Sequence, residues 1–462
     1  MTEYLDGRTT QIDGLDLMME ADRRATLYTA SVDQRPPYPD APSIAALSHF
    51  EEPFPEIGQA GLGTLDLLDR IGGPATAVTT GPRYFGYVVG GVLPAAAAAE
   101  RMVLAWDQRA SSFVSSPVAA VVERVAGQWI LDALDLPRES TVGFGTSATA
   151  CTIACLSAAR RTLLERRGFD WDADGAHGTP PVRVVASATI HVAVSKALRI
   201  LGFGLRNVIP APVDPFGRVD PAQLPELDSG TILCLQAGEV NSGAFDPFAE
   251  LLPRATAAGA WGHVDGAFGL WARASSSAAL CGGIEQADSW TADGHKWLNT
   301  PYDGAFSICR DASALEKAMS SDASYSPSEP GAQQNLTLEF SRRARGIPIW
   351  AALRTLGRDG LRDMIDRNIA QAQRIGYAIT ALGYEVLAPV VLNQVLARAH
   401  SDEATKKICE LMQASGAGWF GMTRWAGRSA FRISVSSFRT ADGHIDDLIA
   451  ALDAAYQHAL TV

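Results

Sequence analysis

The feature that most constrains the fold is an alternation of helical and strand-like segments between residues 115 and 310. Two segments have helical periodicity, and four short apolar runs have the length of buried strands. The helices are predicted at 117–134 and 150–167, and the strands at 182–187, 231–236, 262–264 and 289–292. This alternation predicts an α/β fold, in which helices cover both faces of a mainly parallel sheet and ligands bind at the carboxyl ends of its strands.

The regions on either side of this alternation have other patterns. Residues 1–75 are helical and turn-rich with little apolar core, which predicts an arm that packs on a partner subunit. Residues 318–340 lack periodicity and predict a mobile loop within a large domain at 76–345. We predict a small α+β domain at 346–462, with helices at 349–356, 359–382 and 445–459 and strands at 385–387, 391–397 and 430–435.

Charge and composition disfavour several kinds of partner. The chain has 51 acidic and 39 basic residues, a net charge of −12, and such a surface repels nucleic acid. No apolar run reaches the roughly 20 residues that a membrane helix needs, and the N-terminus lacks the pattern of a secretory signal. The six cysteines are scattered without C-x-x-C pairs. They predict reduced, buried thiols, and we therefore expect a cytoplasmic enzyme.

Three segments carry chemically interesting residues, and each also has a purely structural interpretation. Residues 143–150 contain two glycines, Ser147 and Thr149 at a predicted helix start. The free backbone N–H groups there could bind a phosphate, or a Ser or Thr side chain could simply cap the helix. Asp265 follows a strand, where it can meet a flat ligand or simply form an Asp-Gly turn. Lys296 lies between His295 and a tryptophan. These neighbours would partly remove it from water and make its amine a nucleophile, whereas most lysines are surface groups.

Taken together, the three segments indicate one cofactor. A phosphate anchor, then a carboxylate after a strand, then a lysine 31 positions later is the order needed to hold pyridoxal phosphate. A competing interpretation is a metal site, because His263 and Asp265, or Asp293 and His295, offer nitrogen and oxygen ligands. The metal interpretation leaves the phosphate anchor and Lys296 unexplained. His191 at a helix start could stack on a planar cofactor or only begin its helix.

These residues lie in segments that resemble the group II pyridoxal-phosphate-dependent amino acid decarboxylases over roughly residues 80–440. The family includes aromatic amino acid, glutamate and diaminobutyrate decarboxylases. The ordered combination of segments is specific, although each segment alone is not. The matching segments are PRYFGY at 82–87, SSP at 115–117 with Glu123, SAT at 147–149, His191, GAFDP at 243–247, HVD at 263–265, DGHKW at 293–297 and SRR at 341–343.

The resemblance implies a fold-type-I enzyme like aspartate aminotransferase, acting as a homodimer with active sites at the interface. It implies that Lys296 forms the Schiff base with pyridoxal 5'-phosphate and that decarboxylation of an L-amino acid to its amine proceeds through a quinonoid. A tyrosine that protonates the substrate carbon in the family matches Tyr325. The implied cofactor contacts are Ser147, Ala148, Thr149, His191, Asp265, Ala267, Asp293, His295 and Lys296.

The substrate is less constrained than the cofactor. Phe85, Val88 and Glu239 are tentative substrate contacts; Glu239 either lines the pocket, where it would favour a cationic side chain, or is a solvated loop acid. The segment from Val88 to Gly91 differs from the Pro-Thr of aromatic decarboxylases, so an aromatic substrate does not follow. Arg432 either binds a carboxylate or forms a structural ion pair.

Two other functions stay open at this point. The same scaffold serves aldehyde synthases, carbon–carbon lyases and aminotransferases, and fold does not fix the reaction. Tyr325 favours simple decarboxylation, because relatives without that tyrosine tend to form aldehydes. A binding protein that keeps the fold without catalysis is the second alternative, and the intact set of Lys296, Asp265, His191 and Tyr325 is evidence against it.

Overall fold

A computed structural model describes residues 14–320 and 329–460, and within them a seven-stranded sheet forms the centre of the molecule. Its strands lie in the order β1-β7-β6-β5-β4-β2-β3, and only β7 runs against the others. They are β1 (Thr141–Gly145), β2 (Arg183–Ser187), β3 (Val208–Ala211), β4 (Thr231–Gln236), β5 (Trp261–Asp265), β6 (Ser289–Asp293) and β7 (Ala305–Cys309). The mainly parallel sheet confirms the predicted α/β class.

Helices precede this sheet, connect its strands and pack on both of its faces. In chain order they are α1 (Gly14–Ser31), α2 (Ala41–Ala46), α3 (Gly61–Leu67), α4 (Pro94–Trp106), α5 (Pro117–Ala133), α6 (Ala148–Glu165), α7 (Trp171–Asp174), α8 (Val192–Ile200), α9 (Phe248–Ala257) and α10 (Ala312–Met319). Neighbouring strand residues join different cores: Leu233 packs in one cluster, while Ile232 and Cys234 pack in another. Because strand side chains alternate in direction, these clusters lie on opposite faces of the sheet.

A separate, smaller sheet follows in the C-terminal part. It is antiparallel in the order β10-β11-β9-β8 and has a core of its own that includes Phe420 and Phe431. Its strands are β8 (Glu385–Val386), β9 (Gln394–Arg398), β10 (Gly421–Trp425) and β11 (Arg428–Ser434), and the accompanying helices are α11 (Gly346–Ala381), α12 (Asp402–Ser415) and α13 (Asp442–Leu460). This arrangement confirms the small α+β unit, while the domain boundaries at 75 and 345 stay predictions.

Several elements differ from their sequence-based prediction. Strands β1, β3, β7 and β10 and helix α12 were not predicted; β1 contains two glycines and its sequence is typical of a loop. The two helices predicted at 349–356 and 359–382 form one element that is interrupted only at Gly357, where φ is 61°. All six cysteines are buried and unpaired, as predicted. None of the helices in the described ranges is long and apolar enough to cross a bilayer.

The predicted mobile loop at 318–340 is fixed over its second half. Gln333 is buried, its side-chain amide donates to the Val142 carbonyl at 3.0 Å, and its side-chain oxygen accepts the Phe144 N–H at 2.9 Å. Arg342 donates to the same oxygen at 3.2 Å and forms a two-point ion pair with Glu123. Residues 321–328 of the predicted loop lie outside the described residues.

The Glu123–Arg342 pair holds this segment against α5, and both side chains are at most 1% exposed. Replacing one member leaves the other charge buried without its partner, which costs about 3–5 kcal/mol in proteins. We expect Glu123→Gln to lower the free energy of unfolding by about that amount, measured by urea unfolding. As a matched control, Glu410→Gln removes an exposed pair with Lys406 and should cost about 0.5 kcal/mol or less. A loss below about 1 kcal/mol for Glu123→Gln would contradict this interpretation.

Candidate active site

The parallel pairing of β4, β5 and β6 brings polar side chains to one edge of the large sheet. Gln236 at the end of β4 pairs with Asp265 at the end of β5, and Asp265 pairs with Thr291 of β6. A cleft of about 610 Å³ opens at this edge. It is lined by Tyr87, Val88, Val89, His191, Val192, Gln236, Gly238, Val240, Asn241, Asp265, Ala267, Phe268, Lys296, Tyr302, Thr423 and Arg432.

Lys296 extends from the turn after β6 into this cleft. Its Nζ lies 2.9 Å from Oδ2 of Asp293, and its side chain is 20% exposed. The lysine is therefore neither a free surface group nor fully buried, as the flanking His295 and Trp297 predict. Gly90 packs against the same turn: a Cβ there would lie 1.9 Å from the Lys296 carbonyl oxygen. Only glycine fits at this position in the present backbone.

Asp265 presents a carboxylate at the floor of the cleft. The side chain is buried, and one of its oxygens accepts the Ala267 N–H at 3.1 Å. This is the geometry of the Asp-Gly turn, and Asp265 also lines the same cleft as Lys296. Ala267 also lines the cleft, and its methyl side chain is too small to fill it.

His191 caps helix α8 and is part of the cleft wall. Its Nδ1 accepts the Ala193 N–H at 3.3 Å, and its backbone N–H donates to the Gln236 side chain at 3.0 Å. Burial lowers the pKa of His191, against the opposing effect of Asp265. A neutral ring whose Nδ1 is an acceptor carries its proton on Nε2. His191 therefore begins its helix, as one interpretation predicts, and its ring also lines the cleft, while stacking on a cofactor stays a prediction.

The start of helix α6 is already partly capped. Ser147 Oγ accepts the Ala150 N–H at 3.3 Å, which is the N-cap interpretation. The Ala148 N–H donates to Oδ1 of Asp293 at 2.7 Å. The N–H groups of a first helical turn have no partner within the helix, so Thr149 still offers one. The site thus has a polar helix start next to Asp293 and Lys296.

His295 lies behind Asp293, with its ring in a fixed orientation. Its Nδ1 accepts the Gly304 N–H at 3.2 Å, and the ring stacks on Tyr302 with centroids 4.2 Å apart. Its Nε2 lies 3.7 Å from Oδ1 of Asp293. Burial lowers the pKa of His295. The neutral ring therefore directs an Nε2–H towards Asp293 and the start of α6.

Two of the tentative substrate residues lie elsewhere. Phe85 is 1% exposed and packs in the core of the small C-terminal unit, so its predicted contact with substrate is wrong. Glu239 is 2% exposed, which contradicts the solvated-acid interpretation. Its carboxylate accepts the N–H groups of Asn241 and Ser242 at 2.7 Å each and closes its own turn. Val88 does line the cleft, and Tyr325 lies outside the described residues.

Other cleft residues were missed by the sequence analysis. The Gln236 side chain accepts the His191 backbone N–H. Its position at the end of a predicted strand could have marked it as a cleft residue. No such signal exists for Tyr87, Tyr302 and Thr423. They lie far apart in the sequence, and only the tertiary structure brings them to the cleft. Arg432, which was weighed as a carboxylate ligand, lines the cleft and donates to the Val240 carbonyl at 2.6 Å.

The described ranges contain no cluster of metal-ligating side chains that would support the metal interpretation. No group of three or more histidine, cysteine, aspartate or glutamate side chains in residues 14–320 and 329–460 is arranged to hold an ion. Within its two proposed ligand pairs, His263 Nδ1 is hydrogen-bonded to Ser289 at 2.9 Å, and Asp293 is bound to Lys296.

Comparisons with known proteins agree with this geometry. The family described as the pyridoxal-dependent decarboxylase conserved domain matches residues 75–396. The chain belongs to the pyridoxal-dependent decarboxylase family. It is a pyridoxal-phosphate-dependent carboxy-lyase, and the predicted family, cofactor and enzyme class are confirmed.

Individual relatives show how broad this family is. The decarboxylase is 27% identical to tryptophan decarboxylase 2 of Oryza sativa subsp. japonica, over 86% of each chain. It is 28% identical to L-2,4-diaminobutyrate decarboxylase of Rhizobium meliloti, over 96% of this chain and 90% of the relative. The crystal structure of Oryza sativa TDC with PLP and tryptamine superposes with a TM-score of 0.89 at 22% identity, over 97% and 99% of the two chains. That superposition confirms the fold-type-I architecture.

The decarboxylase also buries an aspartate that supports the cleft from behind. Asp246 accepts the Gln236 N–H at 2.7 Å and the Val219 N–H at 2.8 Å, and thereby fixes the end of β4. Burial raises the pKa of Asp246 to about 7, although the two N–H donors oppose that effect. The nearby acids Asp214 and Glu239 raise the pKa further.

This raised pKa predicts a pH-dependent stability. The folded protein keeps a proton on Asp246 up to about pH 7, whereas the unfolded chain loses it near 3.8. The folded state therefore binds more protons across this window, and the free energy of unfolding falls as the pH rises. We expect the wild type to lose at least about 1 kcal/mol relative to Asp246→Asn between about pH 5 and pH 8, measured by urea unfolding.

A matched control separates this effect from general titration. Asp359 is 91% exposed, and Asp359→Asn should leave the pH dependence of the wild type unchanged. If the wild type loses no stability relative to Asp246→Asn as the pH rises, or gains stability, the pKa of Asp246 is not raised in the folded protein.

Proposed function

We propose that the protein decarboxylates an L-amino acid with a neutral side chain to the corresponding amine. The observation that carries this proposal is the meeting of Lys296, Asp265 and His191 in one cleft beside the start of helix α6. These groups fit pyridoxal phosphate by their chemistry. An amine suits its aldehyde carbon, a carboxylate suits its ring nitrogen, and helix N–H groups suit its phosphate.

Each residue has a distinct role in the proposed reaction. When bound, the cofactor supplies an electron sink for the charge that develops at the substrate's Cα. Lys296 attaches the cofactor in the resting enzyme, and Asp265 keeps a proton on the ring nitrogen. The neutral His191 ring, held by Ala193 and Gln236, would stack on the cofactor ring, and the small Ala267 side chain would allow the cofactor to approach closely. Ser147, Ala148 and Thr149 receive the phosphate.

Tyr325 is the proposed proton donor to the substrate's Cα after carbon dioxide leaves. This role rests on the match of its position to the family's tyrosine. A phenol at that step favours the amine over an aldehyde. Water must stay away from the carbanion while it exists.

The lining of the cleft supports a neutral substrate side chain. Away from the cofactor residues, its wall is mainly apolar and includes Val88, Val89, Val192 and Val240. Among the cleft residues that the structure describes, Asp265 is the only carboxylate, and its proposed role is towards the cofactor. Glu239 is occupied by its own turn. A cationic side chain would find no counter-charge here, and burying it unpaired is costly.

We also propose a homodimer in the cytoplasm. Twenty of the 28 large hydrophobic side chains that are exposed in the described ranges lie between residues 15 and 121. Helices α1 and α4 contribute several of them and are joined by an ion pair between Asp22 and Arg101. Extended apolar patches of this kind mark protein interfaces. A partner subunit that covers α1 and α4 would bury this surface.

The proposed reaction is tested with a panel of L-amino acids and purified protein supplied with pyridoxal phosphate. Products are identified by mass spectrometry and carbon dioxide is measured. We expect an amine from tryptophan, tyrosine, phenylalanine or leucine, with a kcat/KM at least about tenfold above that for 2,4-diaminobutyrate or glutamate. The Lys296→Ala variant controls for contaminating activity and should form no amine.

The products discriminate between the reactions that this scaffold supports. An aldehyde with ammonia and hydrogen peroxide would identify an aldehyde synthase, and a keto acid would identify an aminotransferase. Either product would overturn the proposed decarboxylation. Faster turnover of 2,4-diaminobutyrate than of every neutral amino acid would keep the reaction and overturn the proposed substrate class.

A further inference from the structure

Two polar side chains of the small sheet reach the cleft from the same face of that sheet. Arg432 on β11 lies opposite Gly421 on β10, and Thr423 follows two residues after Gly421. Because side chains alternate in direction along a strand, Arg432 and Thr423 lie on one face of the sheet, and both line the cleft. A Cβ at Gly421 would meet no atom within 4 Å, so the opposite strand leaves room beside Arg432.

The hydrogen bonds of Asn241 determine what Thr423 can offer to a ligand. Asn241 Nδ2 donates to Oε1 of Glu239 at 3.2 Å, and a carboxylate can only accept. The Oδ1 of the same amide therefore faces Thr423 and accepts its hydroxyl proton, with the two oxygens 2.9 Å apart. Since the hydroxyl proton is used in this way, the Thr423 oxygen offers the cleft an acceptor and no donor.

Arg432 offers the opposite chemistry, because a guanidinium can only donate. Its Nη1 donates to the Val240 carbonyl at 2.6 Å, and it forms no ion pair with a carboxylate in residues 14–320 and 329–460. Its other N–H groups can therefore donate to a ligand in the cleft. A donor beside an acceptor is complementary to a group that both accepts and donates, such as a hydroxyl or a carboxamide.

Glu239 balances the charge of Arg432 through the turn that they share. Its carboxylate is buried and accepts the N–H groups of Asn241 and Ser242 at 2.7 Å each, while Arg432 binds the intervening Val240. Burial lowers the pKa of Arg432, and Glu239 is the charged group that most strongly opposes this effect. A neutral acceptor therefore suits Arg432, whereas Glu239 would repel a second carboxylate placed there.

We propose that Arg432 and Thr423 together bind a hydroxyl or carboxamide on the substrate side chain, and that Glu239 makes this pair select against a carboxylate. The inference rests on the proposed function and narrows its substrate class, because neutral side chains with such a group are preferred over plain hydrocarbon ones. Arg432 does not hold the carboxylate that leaves as carbon dioxide. Binding that charge would stabilise the substrate more than the transition state and would slow its loss.

Tyrosine and phenylalanine test the hydroxyl, since they differ in nothing else. For the wild-type enzyme supplied with pyridoxal phosphate, we expect kcat/KM for tyrosine to exceed that for phenylalanine about tenfold or more, the strength of a hydrogen bond to a charged group. Thr423→Val removes the acceptor and should lower this ratio about fivefold. Thr423→Ser keeps the hydroxyl and should keep the ratio. If Thr423 only docks the small sheet, its loss changes both substrates equally.

A second pair of substrates tests the role of charge. The side chains of 4-carbamoylphenylalanine and 4-carboxyphenylalanine have nearly the same shape, but only the second is an anion. Glu239→Gln removes the carboxylate that balances Arg432. We expect the ratio of kcat/KM for the carboxy substrate to that for the carbamoyl substrate to rise about tenfold or more in this variant.

Asp228→Asn is the matched control for Glu239→Gln. Asp228 also closes a turn, where it accepts the Thr231 hydroxyl at 2.7 Å and the Gly230 N–H at 2.9 Å, but it lies at the other end of β4. Its replacement should leave the ratio of the carboxy to the carbamoyl substrate unchanged. An equal rise in both variants would show a general effect of charge and would overturn the role of Glu239.

The remaining outcomes separate this inference from the proposed function. Equal kcat/KM values for tyrosine and phenylalanine in the wild type, or an unchanged ratio in Thr423→Val, overturn the inference and leave the decarboxylation in place. If no amino acid yields an amine, the proposed function fails, and binding alone then tests the inference. Titration calorimetry of the enzyme loaded with pyridoxal phosphate should still show about tenfold tighter binding of tyramine than of phenethylamine, and equal binding would overturn it.

Discussion

The hydrogen-bonded pairing of β4, β5 and β6 is the constraint on which the site depends. Because these strands are parallel and in register, Gln236, Asp265 and Asp293 lie at the same edge of the sheet. The turn after β6 then brings Lys296 over that edge, and helix α6 starts beside it. A change of register by one residue would turn Asp265 to the opposite face. Buried polar groups such as Asp246, which fixes the end of β4, keep that register.

Much of this site could be predicted because its signals are local. Lys296, Asp265 and His191 each follow or begin an element that is visible in the sequence, and parallel strands bring their carboxyl ends together. The order of the three segments along the chain then indicates a cofactor that no single segment would identify. The apolar runs at 231–236 and 289–292 became β4 and β6 nearly unchanged, since their length and composition are typical of buried strands.

The remaining features depend on contacts between distant residues. Nothing near Phe85 in the sequence shows that it packs under the small antiparallel sheet rather than in the cleft. Glu239 is an acid in a polar loop, and only the fold shows that its carboxylate closes a buried turn. The hydrogen bond from the Ala148 N–H to Asp293 spans 145 residues, and neither segment alone indicates it.

The central claim is that the cleft holds pyridoxal phosphate through Lys296, and borohydride reduction tests it most directly. The purified protein is loaded with the cofactor, reduced with sodium borohydride, digested and mapped by mass spectrometry. The account predicts one phosphopyridoxyl group per chain, attached to the peptide that contains Lys296. Labelling of another lysine, or labelling spread over several lysines, would contradict it, since the cleft would then not be the cofactor site.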